Sequence, residues 1–240
     1  MGTHMHVARR GAHGVLPLRG LCCMEFEELF ALVSTRRSIR KYRPDDVPDE
    51  LLERAIALAT WAPSGGNYQS WRFTVVKNRE LIHKLADAVE ARSRLMASWP
   101  ESEPYREQVD RWVKTCAFFR HAPACIAVQV GAYQSVADKL LAARGPADPA
   151  AREMAEWRRF GSSRIQTIGA AVMLLLLALH QQGLGACWMA GPLQAKAEIE
   201  RLLQIPEGWD FVALVPVGFP AEEREAPPRR PLSEVMEFIR

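Results

Sequence analysis

One apolar stretch constrains the fold of this chain more than any other feature. The run IGAAVMLLLLAL, residues 168–179, carries no charged side chain and is closed by His180, Gln181 and Gln182. A helix that is apolar on every side has to be covered by other elements, and this run is too short to cross a bilayer. The sequence therefore predicts a helical segment over 152–182, broken near Gly161 and buried in a core. No membrane partner is expected.

Around this segment, shorter helices alternate with a few strands. Apolar spacing predicts helices over 24–34, 49–62, 78–92, 106–119, 133–144 and 194–205. Alternating or β-branched runs predict strands over 71–77, 122–132 and part of 206–220, with a strand-like loop over 185–193. No G-x-G-x-x-G follows a strand and no P-loop motif is present, which argues against a dinucleotide-binding Rossmann domain. Few strands and many helices favour an α+β fold with one small sheet.

Charge and reactive side chains exclude several classes of function. The net charge of +3 is small for a nucleic-acid binder, so no nucleic-acid partner is expected. The histidines are isolated and the cysteines have no metal-binding spacing, so no metal is expected. An odd number of scattered cysteines is typical of reduced thiols and predicts a cytoplasmic location. The cysteines are Cys22, Cys23, Cys116, Cys125 and Cys187.

The first 23 residues differ from the rest of the chain. The opening MGTHM looks like a remnant of an expression tag, and the stretch as far as Cys23 has no long apolar core. We expect residues 1–23 to be a disordered arm or an over-extended start, and residues 24–240 to form a single domain.

A basic cluster, TRRSIRKY, lies between the first two predicted helices. Arg36, Arg37 and Arg40 can hold phosphate oxygens in a forked geometry, and the Ser38 hydroxyl can add a hydrogen bond. Most charge runs are simply solvated. Two features favour an anion here: the run lies outside any helix, so its backbone N–H groups are free, and a second pair, Arg229 and Arg230, lies between prolines near the C terminus.

Two further segments are rich in small residues. APSGGNYQSW, residues 62–71, combines glycines with serine, asparagine and glutamine side chains. GLGACWMAGP, residues 183–192, is apolar with three glycines and can expose backbone N–H groups. Each is compatible with an ordinary connecting loop, and each is compatible with a backbone surface that lies along a flat ligand.

In this order and spacing, RRSIRKY, APSGGNYQSWRF, GLGACWMAGP, VALVPVGFP and RRPLSEV resemble the nitroreductase family of FMN-dependent oxidoreductases, from residue 24 to the C terminus. The resemblance implies an α+β nitroreductase-like fold. A central, mostly antiparallel sheet is flanked by helices, two chains form an entwined homodimer, and FMN lies at the interface. NADH or NADPH would pass hydride to flavin N5 before a small aromatic, quinone or nitro acceptor replaces it, so ping-pong kinetics are expected.

The resemblance also assigns residues to the cofactor, while the flavin itself carries the chemistry and no side chain is expected to be catalytic. The cofactor-binding residues it implies are Arg36, Arg37, Ser38 and Arg40 for the phosphate and pyrimidine edge, Arg229 or Arg230 for the phosphate, Pro63, Ser64, Gly65, Asn67 and Gln69 from the partner chain's loop, and Met189, Ala190 and Gly191 facing N5 and O4.

Substrate choice is expected to come from residues 93–121, a candidate lid. Its aromatic residues are suited to stacking on flat acceptors, although core or dimer packing explains them equally well. They are Tyr105, Trp112, Phe118 and Phe119. Acidic residues of the same segment, Glu101, Glu103 and Glu107, suit a zwitterionic amino acid, although solvated charges on such a segment are commoner.

Other functions remain open from the sequence. Reductive dehalogenases and the enzyme that degrades flavin to make the lower ligand of cobalamin have similar sequences and the same cradle. A flavin-binding sensor without turnover is a further alternative, and a nucleic-acid-binding module rests only on the basic cluster.

Overall fold

The structure, a computed structural model, describes residues 25–240; the predictions for residues 1–23 lie outside them. It contains eight α-helices and four strands within the described range. The helices are α1 Phe26–Thr35, α2 Asp49–Ala59, α3 Arg79–Ala97, α4 Arg106–Thr115, α5 Val136–Arg144, α6 Pro149–Gly161, α7 Ser163–Gln181 and α8 Lys196–Leu203. The strands are β1 Trp71–Val76, β2 Ala124–Gly131, β3 Gly185–Ala186 and β4 Trp209–Gly218.

The four strands form one sheet in the order β1-β2-β4-β3. Every neighbouring pair is antiparallel, with Trp71 opposite Val130 and Ala124 opposite Val217. A bulge interrupts the β2–β4 register between Val128 and Gln129. The predicted α+β class with a small antiparallel sheet is therefore confirmed.

Strand β2 divides the interior into two cores because its side chains alternate between the faces of the sheet. Ile126, Val128 and Val130 pack on one face with α2 and α7. Cys125 and Ala127 pack on the other face with α3 and α8. All eight residues of β2 are buried. The protein is thus a three-layer sandwich whose central strand is covered on both sides, which explains why β2 is apolar except for Gln129, whose buried amide donates to the Thr74 hydroxyl.

The long apolar helix occupies the first core, as its composition predicts. Leu175 and Leu179 of α7 are fully buried, and Leu52 of α2 packs in the same cluster. By length and composition alone, the stretch Pro149–Gln181 could cross a membrane. It is not one helix, however, because Ser162 adopts φ 14° and ψ 89° between α6 and α7. The predicted break lies one residue after Gly161, and the run is a core helix.

The basic cluster runs in extended conformation beside the short edge strand β3. Ser38 bridges Ala186 in parallel, and the Ile39 N–H donates to the Ala186 carbonyl at 3.0 Å. The Ile39 side chain is buried against Gly185, where the β-carbon of any larger residue would lie only 2.8 Å from it. Glycine at this position lets the cationic segment join the sheet.

We expect Gly185→Ala to lower the free energy of unfolding by about 1–3 kcal/mol, since the new methyl group would overlap Ile39. Urea denaturation measures the change. Gly169→Ala in α7 is the matched control, because its added carbon would meet only Trp188, at an ordinary 3.7 Å, and alanine favours a helix. Equal unfolding midpoints for the two variants would show that the contact does not restrict this position.

Candidate functional site

The basic cluster is held at both ends by backbone hydrogen bonds. Beyond the Ser38 bridge, the Arg43 N–H donates to the Phe219 carbonyl at 2.8 Å. The Glu222 carboxylate accepts from the backbone N–H groups of Arg40 and Lys41 at 2.7 and 3.2 Å. Burial raises the pKa of Glu222, but these hydrogen bonds and the charge of a neighbouring arginine outweigh it and leave the pKa below its usual value. The segment that displays the arginines is therefore fixed.

Arg37 folds back over the end of α1. Its Nη1 donates to the carbonyls of Ser34 and Arg36 at 2.7 and 2.6 Å, which supplies donors to a helix end that lacks them. Its Nε is buried and has no acceptor among the described residues. A buried guanidinium donor without a partner is costly, and an anion bound at this point would satisfy it.

Arg36 lies beside Arg37 and is partly buried. Burial lowers the pKa of Arg36, and the charges of Arg37 and Arg229 lower it further, while Cys187 opposes them. No carboxylate of the described residues figures among these charges. Of the two C-terminal arginines, Arg229 is the one whose charge contributes to this shift in the pKa of Arg36. Positive charges thus act on the partly buried Arg36 with no carboxylate of the described residues to offset them, which is the electrostatic setting of an anion site.

On the other side of the cluster, Arg40 lines a cavity of about 260 Å³. The Arg40 guanidinium lies 5.9 Å from the centre of the Phe118 ring. The cavity's other walls come from α3, α4 and the segment after β3. They are Val89, Trp112, Thr115, Cys116, Cys187, Trp188, Met189, Ala190, Gly191 and Gln194. Three predicted flavin-facing residues and two predicted lid residues therefore meet at Arg40.

The segment after β3 presents free backbone donors to this cavity. Met189 exchanges both of its backbone hydrogen bonds with Leu214 of β4, at 2.9 and 3.0 Å. The N–H groups of Ala190 and Gly191 meet no backbone acceptor within residues 25–240. This arrangement combines a fixed backbone with unpaired donors next to a cation, as the recognition of a polar heterocycle edge requires.

The predicted lid is only partly a cavity wall. Trp112 and Phe118 line the cavity, whereas Tyr105 is exposed and does not. Phe119 is fully buried in the second core, with α3 and α8, so its assignment to the lid is corrected: it is a packing residue. Of the acidic residues, Glu103 pairs with Arg106, and none of the three lines the cavity.

The loop that carries Pro63, Ser64, Gly65, Asn67 and Gln69 lies elsewhere. The Ser64 hydroxyl accepts from the Gln69 N–H at 3.1 Å, and the Gln69 amide donates to Asn67 Oδ1 at 3.2 Å. Gly66 and Asn67 have φ of 60° and 52°. These residues line neither the cavity at Arg40 nor the larger cleft beside it. The loop is preorganised, but one chain does not bring it to the arginines.

The ends of α7 show how far apart these parts are. At its first turn, Arg164 Nε donates to the Gly131 carbonyl, and the Gly131 N–H donates to Ser70 at the end of the loop. At its last turn, His180 reaches Thr35, next to the arginines. His180 lies sixteen positions after Arg164 along the helix, a rise of about 24 Å.

Several residues of the site escape sequence reasoning. Glu222 meets the cluster across 182 residues of chain and His180 across 145, and neither has a local pattern. Trp188 lies in a segment that the sequence does single out, so its position was accessible. Within the described range, no group of three or more His, Cys, Asp or Glu side chains could hold a metal ion.

Comparison with known proteins identifies the protein family of this chain. The sequence profile of the Nitroreductase family matches residues 33–219. The chain belongs to the nitroreductase family. A Methanothermobacter thermautotrophicus protein with the provisional name NADH dehydrogenase/NAD(P)H nitroreductase is 30% identical over 197 residues, 81% of this chain and 78% of that one.

Solved structures of other proteins have the same fold as this nitroreductase-family chain. A BluB-like flavoprotein from Clostridium difficile 630 superimposes with a TM-score of 0.78 at 27% identity, covering 89% of this chain and 99% of that chain. Oxidized iodotyrosine deiodinase bound to FMN and 3-iodo-L-tyrosine gives a TM-score of 0.64 at 22% identity, covering 88% and 97%. The nitroreductase-like fold is therefore confirmed.

The residues present fit FMN as a ligand. The unpartnered Arg37 Nε and the adjacent Arg36 offer charged donors to a phosphate. Arg40 and the backbone donors of Ala190 and Gly191 offer a polar edge at the cavity. The cavity falls below the roughly 300–1,000 Å³ of most ligand sites, whereas the larger cleft beside it, which shares Arg40 and Phe118, has a volume of about 990 Å³.

We expect Arg37→Ala to yield largely flavin-free protein, because each charge-assisted hydrogen bond to a phosphate contributes about 1.5–3 kcal/mol. The ratio of flavin to protein absorbance after purification measures this. Lys41→Ala, which removes an exposed charge four residues away, should retain flavin. Full retention by Arg37→Ala would exclude Arg37 from the site.

The two C-terminal arginines should differ in the same assay. Arg229→Ala should weaken FMN affinity about tenfold, since its charge acts on Arg36, and Arg230→Ala should weaken it by less than about twofold. Fluorescence titration of apoprotein with FMN gives both values. The reverse order would assign the contact to Arg230.

Proposed function

We propose that this protein is an FMN-dependent oxidoreductase that takes electrons from NADH or NADPH and passes them to a small aromatic, quinone or nitro compound. One observation carries the cofactor: the buried Arg37 Nε, next to the partly buried Arg36, has no acceptor among the described residues. Bound FMN would supply the chemistry, as hydride acceptor and donor at N5. The protein supplies binding and orientation.

The chain's own groups have distinct tasks in this proposal. Arg36 and Arg37 bind the phosphate, and Glu222 fixes the backbone of Arg40 so that its guanidinium stays at the cavity. A fixed positive charge there stabilises negative charge on the pyrimidine edge of the cofactor. The Ala190 and Gly191 N–H groups act on the neighbouring edge without having to reorganise.

We further propose that the working form is a homodimer. The loop at Pro63–Gln69 lies at the far end of α7 from the arginines, so a single chain offers each flavin only part of its surroundings. A second copy could place its own loop over the cavity of the first. Exposed apolar side chains on α1, Phe26 and Phe30, and Trp61 after α2 are available to cover such an interface.

The walls of the cavity bear on the choice of acceptor. Trp112 and Phe118 form an aromatic wall at the cavity, which suits a flat acceptor. The similarity to a deiodinase and to a BluB-like flavoprotein leaves dehalogenation and flavin degradation as alternatives, and a sensor would use the same cradle. The cavity itself carries no acidic side chain, but the larger cleft that shares Arg40 and Phe118 with it is lined by Glu90, Asp110 and Glu222, so an amino-acid acceptor stays an alternative.

The visible spectrum of the purified protein tests the proposal. We expect a flavin spectrum that bleaches when NADH or NADPH is added without air, and returns when a nitroarene or quinone is added. Size-exclusion chromatography with light scattering should give twice the mass of the chain.

Each other outcome has a distinct meaning. A flavin spectrum that does not bleach would favour a sensor or a flavin-degrading enzyme. Turnover of halotyrosines in preference to nitroarenes would favour a dehalogenase. A colourless protein that does not bind added FMN would overturn the cofactor assignment.

A further inference from the structure

A second basic surface lies beside the cavity at Arg40. The larger cleft, of about 990 Å³, shares Arg40, Thr115 and Phe118 with the cavity, so the two spaces adjoin at these side chains. Its volume is at the upper end of the roughly 300–1,000 Å³ of ligand sites, and a small aromatic acceptor would fill little of it. A ligand with its reacting ring at the cavity and a long remainder fits the combined space better.

The cleft is distinct from the arginines assigned to the FMN phosphate, because none of Arg36, Arg37 and Arg229 lines it. Its own lining includes six cationic and three acidic side chains, a net charge of +3 with His121 neutral. The cations are Arg40, Lys41, Arg94, Lys114, Arg120 and Arg224, and the acidic residues are Glu90, Asp110 and Glu222.

Two of the three carboxylates are engaged in ion pairs within the cleft. Glu90 pairs with Arg94 at 2.5 Å and with Arg120 at 3.1 Å. Glu222 pairs with Arg224 at 3.4 Å. These pairs use half of the cations and hold the walls of the cleft in place.

The other three cations have no such partner. Arg40, Lys41 and Lys114 form no ion pair with a carboxylate of residues 25–240. The Arg40 guanidinium reaches the Ser38 carbonyl at 3.4 Å, and Asp110, one turn before Lys114 on α4, is the acidic side chain of the cleft that remains to offset them. A cleft lined mainly by one sign of charge concentrates ligands of the opposite sign.

We propose that this cleft binds the phosphates of the hydride donor and makes NADPH the preferred donor over NADH, with Lys41 and Lys114 as the specificity-determining side chains. The inference rests on the proposed function, because the donor reacts at the adjoining cavity. NADPH differs from NADH by a 2′-phosphate, and a phosphate monoester carries about 1.5–2 negative charges at neutral pH. Flexible lysine ammonium groups suit such a compact charge.

A second copy of the chain would leave this charge in place. The loop Pro63–Gln69, which the proposed dimer lays over the cavity, carries no acidic side chain. Lys41 and Lys114 are exposed, so their replacement leaves both cores intact.

Calorimetric titration of the FMN-loaded protein with NADP⁺ and with NAD⁺ tests the inference without turnover. We expect NADP⁺ to bind about tenfold more tightly at about 50 mM salt, with the ratio falling to about twofold at about 500 mM, because salt screens exposed charges. Equal affinities at the lower salt concentration, or tighter binding of NAD⁺, would overturn the inference.

Glutamine substitutions assign the preference to the two lysines. Lys41→Gln and Lys114→Gln should each lower the ratio of NADP⁺ to NAD⁺ affinity about threefold, as expected for an exposed charge pair, while Lys114→Arg should keep it. Lys84→Gln is the matched control and should keep the wild-type ratio, since Lys84 is an exposed lysine of α3 that pairs with Glu80 outside the cleft. Wild-type ratios in both Lys41→Gln and Lys114→Gln would overturn the assignment.

Anaerobic reduction of the bound flavin separates this inference from the proposed function. A flavin that neither NADPH nor NADH bleaches would overturn both. Bleaching by the two donors with equal kcat/KM would overturn only the preference for NADPH. Equal kcat/KM for the donors, together with a preference for anionic over neutral nitroarenes that Lys114→Gln removes, would assign the cations to the acceptor instead.

Discussion

Mutual repulsion between arginines that are held close together is the interaction on which the site depends. Arg36 and Arg37 are adjacent in sequence and partly buried, and no carboxylate of the described residues acts on Arg36. In a flexible segment, such charges would separate into water. Here Ile39 is seated against Gly185 and Glu222 holds the following backbone, so the repulsion persists in the folded chain. An anion is the partner that relieves it.

The rest of the fold provides the rigidity that this arrangement needs. The cluster is attached to β3, the short edge strand, and β3 pairs with β4. β4 in turn pairs with β2, whose eight residues are all buried between the two cores. A displacement of the arginines would therefore require the edge of a well-packed sheet to open. Met189 pairs with Leu214 of the same β4, so the two halves of the candidate site share one rigid support.

Much of this architecture is local and could be predicted from the sequence. The core helix, the largely apolar strand β2 and the alternating strand β1 are each indicated by the residue pattern of a single segment. The basic cluster is also a local signal, and the family resemblance gives it a ligand.

Phe119 shows the limit of this approach. Its neighbour Phe118 lines the cavity, but a short 3₁₀ turn at Phe118–His121 directs Phe119 into the core, and composition does not distinguish the two. His180 and Glu222 join the site only through the packing of distant segments.

The position of α7 links the two ends of the proposed dimeric site. Its first turn is tied to the sheet by Arg164, which also pairs with Asp210 at 2.9 Å, and its last turn meets the arginines through His180 and Thr35. A buried helix of this length is stiff, so it fixes the distance between the polar loop at one end and the basic cluster at the other. In a two-fold dimer in which the loop of one chain covers the cavity of the other, each α7 would extend from one flavin toward the second. The apolar character of α7 would then serve both the packing of one chain and the spacing of two sites, which gives one physical reason why a core helix and a cofactor site occur together in this fold.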